Sequence, residues 1–268
     1  MSNILRYNKS GGNLISNTKN KVSWCSCFIA SFIREFKEFV LSPYTVFASL
    51  SQPILYLFFF APVLSGLSGS SQHTLAFFVP ALAIQLGIFS GAFSGIAVVT
   101  NFREGVLDRI LFAPFPISSY LLAKFVKESL IAILMSVLVF FLSMTLGFHF
   151  TMGALLSILP LVFLSSFSFA ALSFIVANLS RKEDSIAAVF NSVLFPLILL
   201  AGFMVPISYG PAWLRLIAKF NPLFYVVEGA RTFFTTQPNV NIYALSFVVI
   251  CVMSIVSFML SIRLTRTH

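Results

Sequence analysis

The chain has 268 residues, 58% of them hydrophobic and only 9% charged, with a net charge of +9. Soluble domains carry about 25% charged residues, so this composition excludes a soluble fold and points to an integral membrane protein. The basic excess does not indicate nucleic acid, because it is spread over a tail and short loops beside apolar stretches and forms no contiguous basic face.

Residues 1–21 are rich in Asn, Ser, Gly and Lys and read as a flexible cytosolic tail. No Ala-x-Ala-like site follows a short apolar core, so no cleaved leader is expected. Residues 22–40 differ. Cys25, Phe28, Ile29, Phe32, Ile33, Phe36, Phe39 and Val40 recur at three- and four-residue spacing and share an arc of about 140° on a helix. Arg34, Glu35, Lys37 and Glu38 lie outside it. The pattern predicts an amphipathic helix lying in the membrane interface, serving as an anchor or as a grip for a partner. Cys25-Ser-Cys27 has no second Cys/His pair, and with Cys251 the count is odd, so neither a metal site nor a disulfide framework is expected.

Residues 41–265 contain six predicted transmembrane helices, an all-α membrane domain. They cover roughly 43–65, 74–100, 119–147, 153–178, 186–206 and 240–262. Of the 17 Lys and Arg residues, Arg215, Lys219 and Arg231 fall on one side and the rest on the other. That asymmetry predicts both termini in the cytosol. In the second span Ala83, Gly87, Gly91 and Gly95 form a small-residue stripe, which serves close packing inside the bundle or a subunit interface.

The sequence has no G-x-x-x-x-G-K-[ST] phosphate loop, so ATP is not expected to be split on this chain. It has no H-E-x-x-H helix either. Buried ionisable residues mark ion-driven carriers, and the spans read as almost free of them. They offer Gln52, Gln85 and Asn191, which serve as helix glue or meet a polar substrate on a translocation path.

Between the second and third spans stands NFREGVLDRILFAPFP, residues 101–116. Phe102, Val106 and Ile110 share one helix face, and Glu104 and Asp108 another. Pro114 and Pro116 stop the helix. A short, stiff helix held across two span ends either fixes topology or transmits a push from a soluble partner, with Arg103, Glu104, Val106, Asp108 and Arg109 as the contact candidates. The stretch before the last span carries Pro206, Pro211, Pro222 and a Glu228/Arg231 pair at i,i+3. It is too short and broken to span, so a re-entrant or interfacial hairpin is expected there, as a structural lid or as a cap on an exit path.

Taken together and in this order, the residues resemble the ABC-2 type permeases of bacterial ABC exporters. An amphipathic helix precedes the first span. FREGVLDRILFAPFPISSYLLAKFV looks like that family's Arg…Gly…Pro segment before the third span, and AGFMVPIS…PAWL…NPLFYVVEGAR is similar to its late Asn-Pro segment. The resemblance covers roughly residues 25–265. It implies six helices per subunit in the bacterial inner membrane and a homodimer or a pairing with a related permease. It also implies a separate ATP-binding subunit that carries ATP and Mg²⁺.

By position, the 102–112 helix would be a coupling helix seated on that ATPase. The 28–40 helix, with Phe32, Arg34, Phe36 and Lys37, would be a second contact, and 207–235 the outward-facing element. The function expected is export of a drug-like, lipid-linked or polysaccharide cargo. The alternative is a self-sufficient secondary transporter or channel.

Overall fold

The computed structural model describes residues 23–42, 47, 51, 54–60, 62–63, 66, 71–105, 116–203, 207, 210–235 and 238–266. Every described regular element is helical. They are α1 (Trp24–Val40), a π-helical turn Tyr56–Phe60, α2 (Ser71–Arg103), α3 (Ile117–Met144), α4 (Met152–Ser180), α5 (Glu183–Leu200), α6 (Ala212–Ala218), α7 (Pro222–Arg231), a 3₁₀ turn Thr232–Phe234 and α8 (Val240–Arg266). Among the described residues, α2, α3, α4, α5 and α8 are the 5 helices long and apolar enough to cross a membrane. About half of the expected first span, 43–65, lies outside the described residues. The fifth span stops at Leu200 rather than near 206, since Gly202 turns the chain with a φ of 73°.

The core is the contact of α2 with α4, flanked by α3 and α8. The glycine stripe makes that contact possible. A methyl group on Gly87 would fall 3.0 Å from the Val162 carbonyl oxygen, and one on Gly91 would collide with the Ser166 carbonyl. At Gly95 the Ser173 hydroxyl takes the vacated space, accepting from the Gly95 amide at 3.0 Å and donating to the Ala92 carbonyl. The stripe therefore packs two helices of one subunit. In an apolar solvent close backbone approach and interhelical hydrogen bonds replace the hydrophobic effect as the cohesive force. Other serines and a tyrosine extend the pattern: Ser136 to the Ala83 carbonyl, Ser168 to Ser254, and Tyr243 to the Ser157 carbonyl.

The helix ends follow local chemistry. Thr151 caps α4 by accepting from the Ala154 amide. Arg181 closes that helix in the left-handed region. Gly105, with a φ of 67°, ends α2 as a residue without a Cβ does most easily. The last amphipathic stretch folds into α6 and α7. Asn221 starts α7 by accepting from the Leu223 amide while its own amide donates to the Leu197 carbonyl at 2.6 Å. Pro222 follows as the first helical residue, where a missing N–H costs nothing. The Asn-Pro pair thus fixes α7 to the end of α5.

Candidate functional site

Three clusters of polar residues stand out against the apolar bundle, one at each end of it and one where α1 meets α3.

At the first end, α2 finishes in Phe102 and Arg103, and Glu104 follows in the turn. Arg103 Nη1 lies 2.9 Å from Glu183 Oε1 at the start of α5, and the Arg181 guanidinium sits 5.5 Å from the centre of the Phe102 ring. The pair ties the turn between α4 and α5 to the C-terminal end of α2. Both side chains of the ion pair are partly exposed, at 63% and 37%, so the link is worth about 0–1 kcal/mol and orients more than it stabilises. Glu104 is exposed. Val106, Asp108 and Arg109 lie outside the described residues. Arg103, one of the contact candidates, pairs within the chain with Glu183 and remains exposed.

The α1 helix departs from expectation on one side. Arg34, Phe36 and Lys37 are exposed and Phe32 is half-buried, but Glu35, placed by the pattern on the polar face, is buried. Cys27, Ser31 and Glu35, each one turn from the next, form the stripe that packs against α3. The apolar residues Trp24, Ile29, Ile33, Phe36 and Val40 point outward. Trp24, Phe28, Phe32 and Phe36 stack ring on ring along the helix, with centroids 5.8 to 6.2 Å apart. At its N-terminus Trp24 donates to the Ser118 hydroxyl at 3.2 Å. The helix therefore runs alongside the start of α3.

What Glu35 meets there corrects the reading of the spans as almost free of charge. Lys124, Lys127 and Glu128 of α3 are all buried. Lys127 Nζ is 2.6 Å from Glu128 Oε1, and Ser90 of α2 donates to Glu128 Oε2 at 3.3 Å. Glu35 Oε2 lies 3.7 Å from Lys124 Nζ and 3.9 Å from Lys127 Nζ. The two acids and two bases balance, as a low-dielectric site requires. In the sequence these lysines read as markers of membrane orientation. The spacing of Lys124 three residues from Lys127 and four from Glu128, inside an apolar run, was the signal that they face inward.

At the opposite end, Arg231 is 4% exposed and fully engaged. Its Nε donates to the Phe77 carbonyl at 2.9 Å, Nη2 to those of Gly202 at 2.7 Å and Phe203 at 3.2 Å, and Nη1 to Glu228 Oε1 at 3.1 Å. The guanidinium also stacks 3.4 Å from the centre of the Phe77 ring. Burial pushes the Arg231 pKa down to about 10, with Glu228 opposing the shift, so the group remains cationic at neutral pH. One side chain thus joins α7 to the start of α2 and to the turn after α5. The Glu228/Arg231 pair read from the sequence is present, and Arg231 does more than pair. Beside it, Gln72 clasps the His149 backbone, donating to its carbonyl at 2.8 Å and accepting from its amide at 3.1 Å. Pro206 lies outside the described residues.

The path candidates are dispersed. Gln52 lies outside the described residues. Gln85 is buried in α2, and Asn191 is exposed on α5. Only 22% of the apolar stretch of α5 is buried, against 72% for α2, so α5 turns most of its surface away from this bundle. A shallow groove of about 450 Å³ between α3, α4 and α8, lined by Ile133, Pro160, Phe163 and Phe247 among others, contains neither residue. No cluster of His, Cys, Asp and Glu suited to a metal occurs among the described residues.

Comparison with known proteins adds two findings. Residues 26–235 match the family model described as ABC-2 type transporter. The chain is 25% identical over 203 residues to the "Daunorubicin resistance ABC transporter permease protein DrrB1" of Streptomyces coeruleorubidus, covering 73% of this chain and 69% of that one. It is 24% identical over 225 residues to the "Putative transport permease ycf38" of Cyanophora paradoxa, covering 80% and 77%. A "Nodulation protein J" of Rhizobium leguminosarum bv. trifolii aligns over 262 residues, 96% and 98% of the two chains, at 22% identity.

Proposed function

The chain belongs to the ABC-2 type transporter family, and from that membership we propose that it is the permease subunit of an exporter driven by a separate ABC ATPase. It is a multi-pass membrane protein and the transmembrane subunit of an ABC transporter. The proposal adds direction, energy source and partners. ATP and Mg²⁺ bind on the partner, because this sequence holds no phosphate loop of its own. The membrane is the bacterial inner membrane, with both termini in the cytosol. The observation that carries the reading is the Arg103 end: Arg103–Glu183 and Arg181–Phe102 tie the end of α2 to the α4–α5 turn, within the expected 102–112 coupling segment that Pro114 and Pro116 follow. A lever needs such a fixed base.

The exposed surface of α5, which carries Val189, Val193 and Leu199 and, about 200° round the helix from both valines, Asn191, suits a second permease copy or a related one, with the cargo passing between them. The name of the Streptomyces relative concerns daunorubicin resistance, and 33 Phe residues suit an amphiphile. A drug-like cargo is therefore the first to test, before lipid-linked or polysaccharide cargo. Co-purification with the cognate ABC ATPase is the experiment. Asp108→Arg is expected to reduce complex yield or ATP-driven export at least tenfold. An intact complex with unchanged export would remove the coupling role from this segment.

A secondary carrier is the second reading, and the buried Glu35, Lys124, Lys127 and Glu128 are what favours it, since such groups relay ions in pumps. Two facts weigh against it. The four charges cancel, and they sit near the start of α3 beside α1. Lys124 is only about 10 Å along the helix axis from Ile117.

A further inference from the structure

The contact between α1 and α3 is incompletely made. Glu35 Oε2 is 3.7 and 3.9 Å from two ammonium groups, beyond hydrogen-bond reach of either. Glu35 Oε1 and Lys124 Nζ are buried and have no hydrogen-bond partner among the described residues. A half-satisfied buried network is less stable than a closed one, because each orphaned group has lost water and gained nothing. The carboxylate stands nearly midway between two lysines three residues apart on one helix, about 4.5 Å along its axis. A movement of about 1 Å toward either would close a charge-assisted hydrogen bond of ordinary length.

The surroundings favour motion along this seam. The rest of the buried α1 stripe is small, Cys27 and Ser31, so a shift has to stretch the exposed Trp24–Ser118 hydrogen bond but displaces no bulky fully buried side chain. Lys127 is already held by Glu128, which Ser90 in turn links to α2, while Lys124 has no hydrogen bond of its own. Pairing with Lys124 thus satisfies an orphan, and pairing with Lys127 joins α1 to the α2–α3 network. The two gains are of the same kind, as a bistable element requires.

We infer that Glu35 is a positioning residue for transport: it holds α1 in either of two registers on α3, paired with Lys124 in one and with Lys127 in the other. A slide of α1 by one such step would carry motion from the ATPase side to the helices of the bundle. Only this last link rests on the exporter reading; the two registers themselves belong to this chain.

Spin labels on Lys37→Cys and Met144→Cys, with Cys25, Cys27 and Cys251 changed to Ala, read the slide as a distance along α3. Labelled chains are diluted with unlabelled ones in nanodiscs, so that only distances within one subunit register. Lys124→Gln is expected to leave the Lys127 register and Lys127→Gln the Lys124 register, giving mean distances about 2 Å apart, the sum of the two movements of about 1 Å. Glu35→Gln should give one broad distribution. Identical distributions in wild type, Lys124→Gln and Lys127→Gln overturn the inference, whatever the ATPase does. If a variant does not fold, the wild-type chain with its ATPase decides: a shift between the nucleotide-free and vanadate-trapped complexes supports the inference. An unchanged single peak overturns it. Failure of any ATPase to bind would count against the exporter reading alone, and the two lysine variants would still decide the registers.

Discussion

Arg231 and Gly91 are the two residues whose roles are most sharply defined by their contacts. Arg231 satisfies three backbone carbonyls and Glu228 with one planar fork. A lysine cannot reproduce that geometry. Arg231→Lys is expected to destabilise by about 2–3 kcal/mol, the scale of losing hydrogen bonds to a charged group, and Arg231→Met by more. Thermal unfolding followed by size-exclusion fluorescence in detergent measures this, and an unchanged midpoint for Arg231→Met would contradict the anchor role. Gly91→Val should cost about 1–3 kcal/mol or more, because the added methyls meet the α4 backbone and not a movable side chain. Gly153→Val is the control, since a Cβ there has nothing within 4 Å. If the two variants melt alike, the stripe is not the α2–α4 contact.

At the scale of elements, α2, α3, α4 and α8 were legible because apolar length is a strong signal, and their ends agree with expectation within a few residues. The interior of the bundle was less legible. A stripe such as Gly87, Gly91 and Gly95 says that something approaches closely, but the sequence does not say which helix does. The burial of Glu35 was hidden for a different reason. Amphipathic patterning assumes that charge seeks water, and here it seeks Lys124 and Lys127 on a helix 89 and 92 positions away in the numbering. The pairing of Arg103 was hidden in the same way, since Glu183 starts another helix 80 positions on. That ion pair yields an element-scale prediction. Arg103→Glu should barely change thermal stability, by less than about 1 kcal/mol. It should lower ATPase co-purification several-fold, and Arg103→Glu with Glu183→Arg should restore it. Failure of the double variant to restore binding would mean that Arg103 touches the partner directly.

At the scale of the whole molecule, the bundle is unevenly finished. Its α2–α4 centre is closed, while 22% of the apolar stretch of α5 and 28% of that of α8 are buried. Under the proposed function, one of these faces meets lipid and the other a second permease. The proposal puts the partner on α5, so Val193→Cys is expected to form a disulfide between copies under mild oxidation. Val252→Cys on α8 should not. The reverse pattern would move the interface, and the path, to α8.

If the membrane part supplies no energy of its own, purified chain in proteoliposomes, with an anthracycline as probe, should show flux only when the ATPase is present with MgATP, and none with an imposed proton or sodium gradient. Gradient-driven flux from the chain alone, lost in Glu128→Gln, would contradict it and make the buried charges a relay.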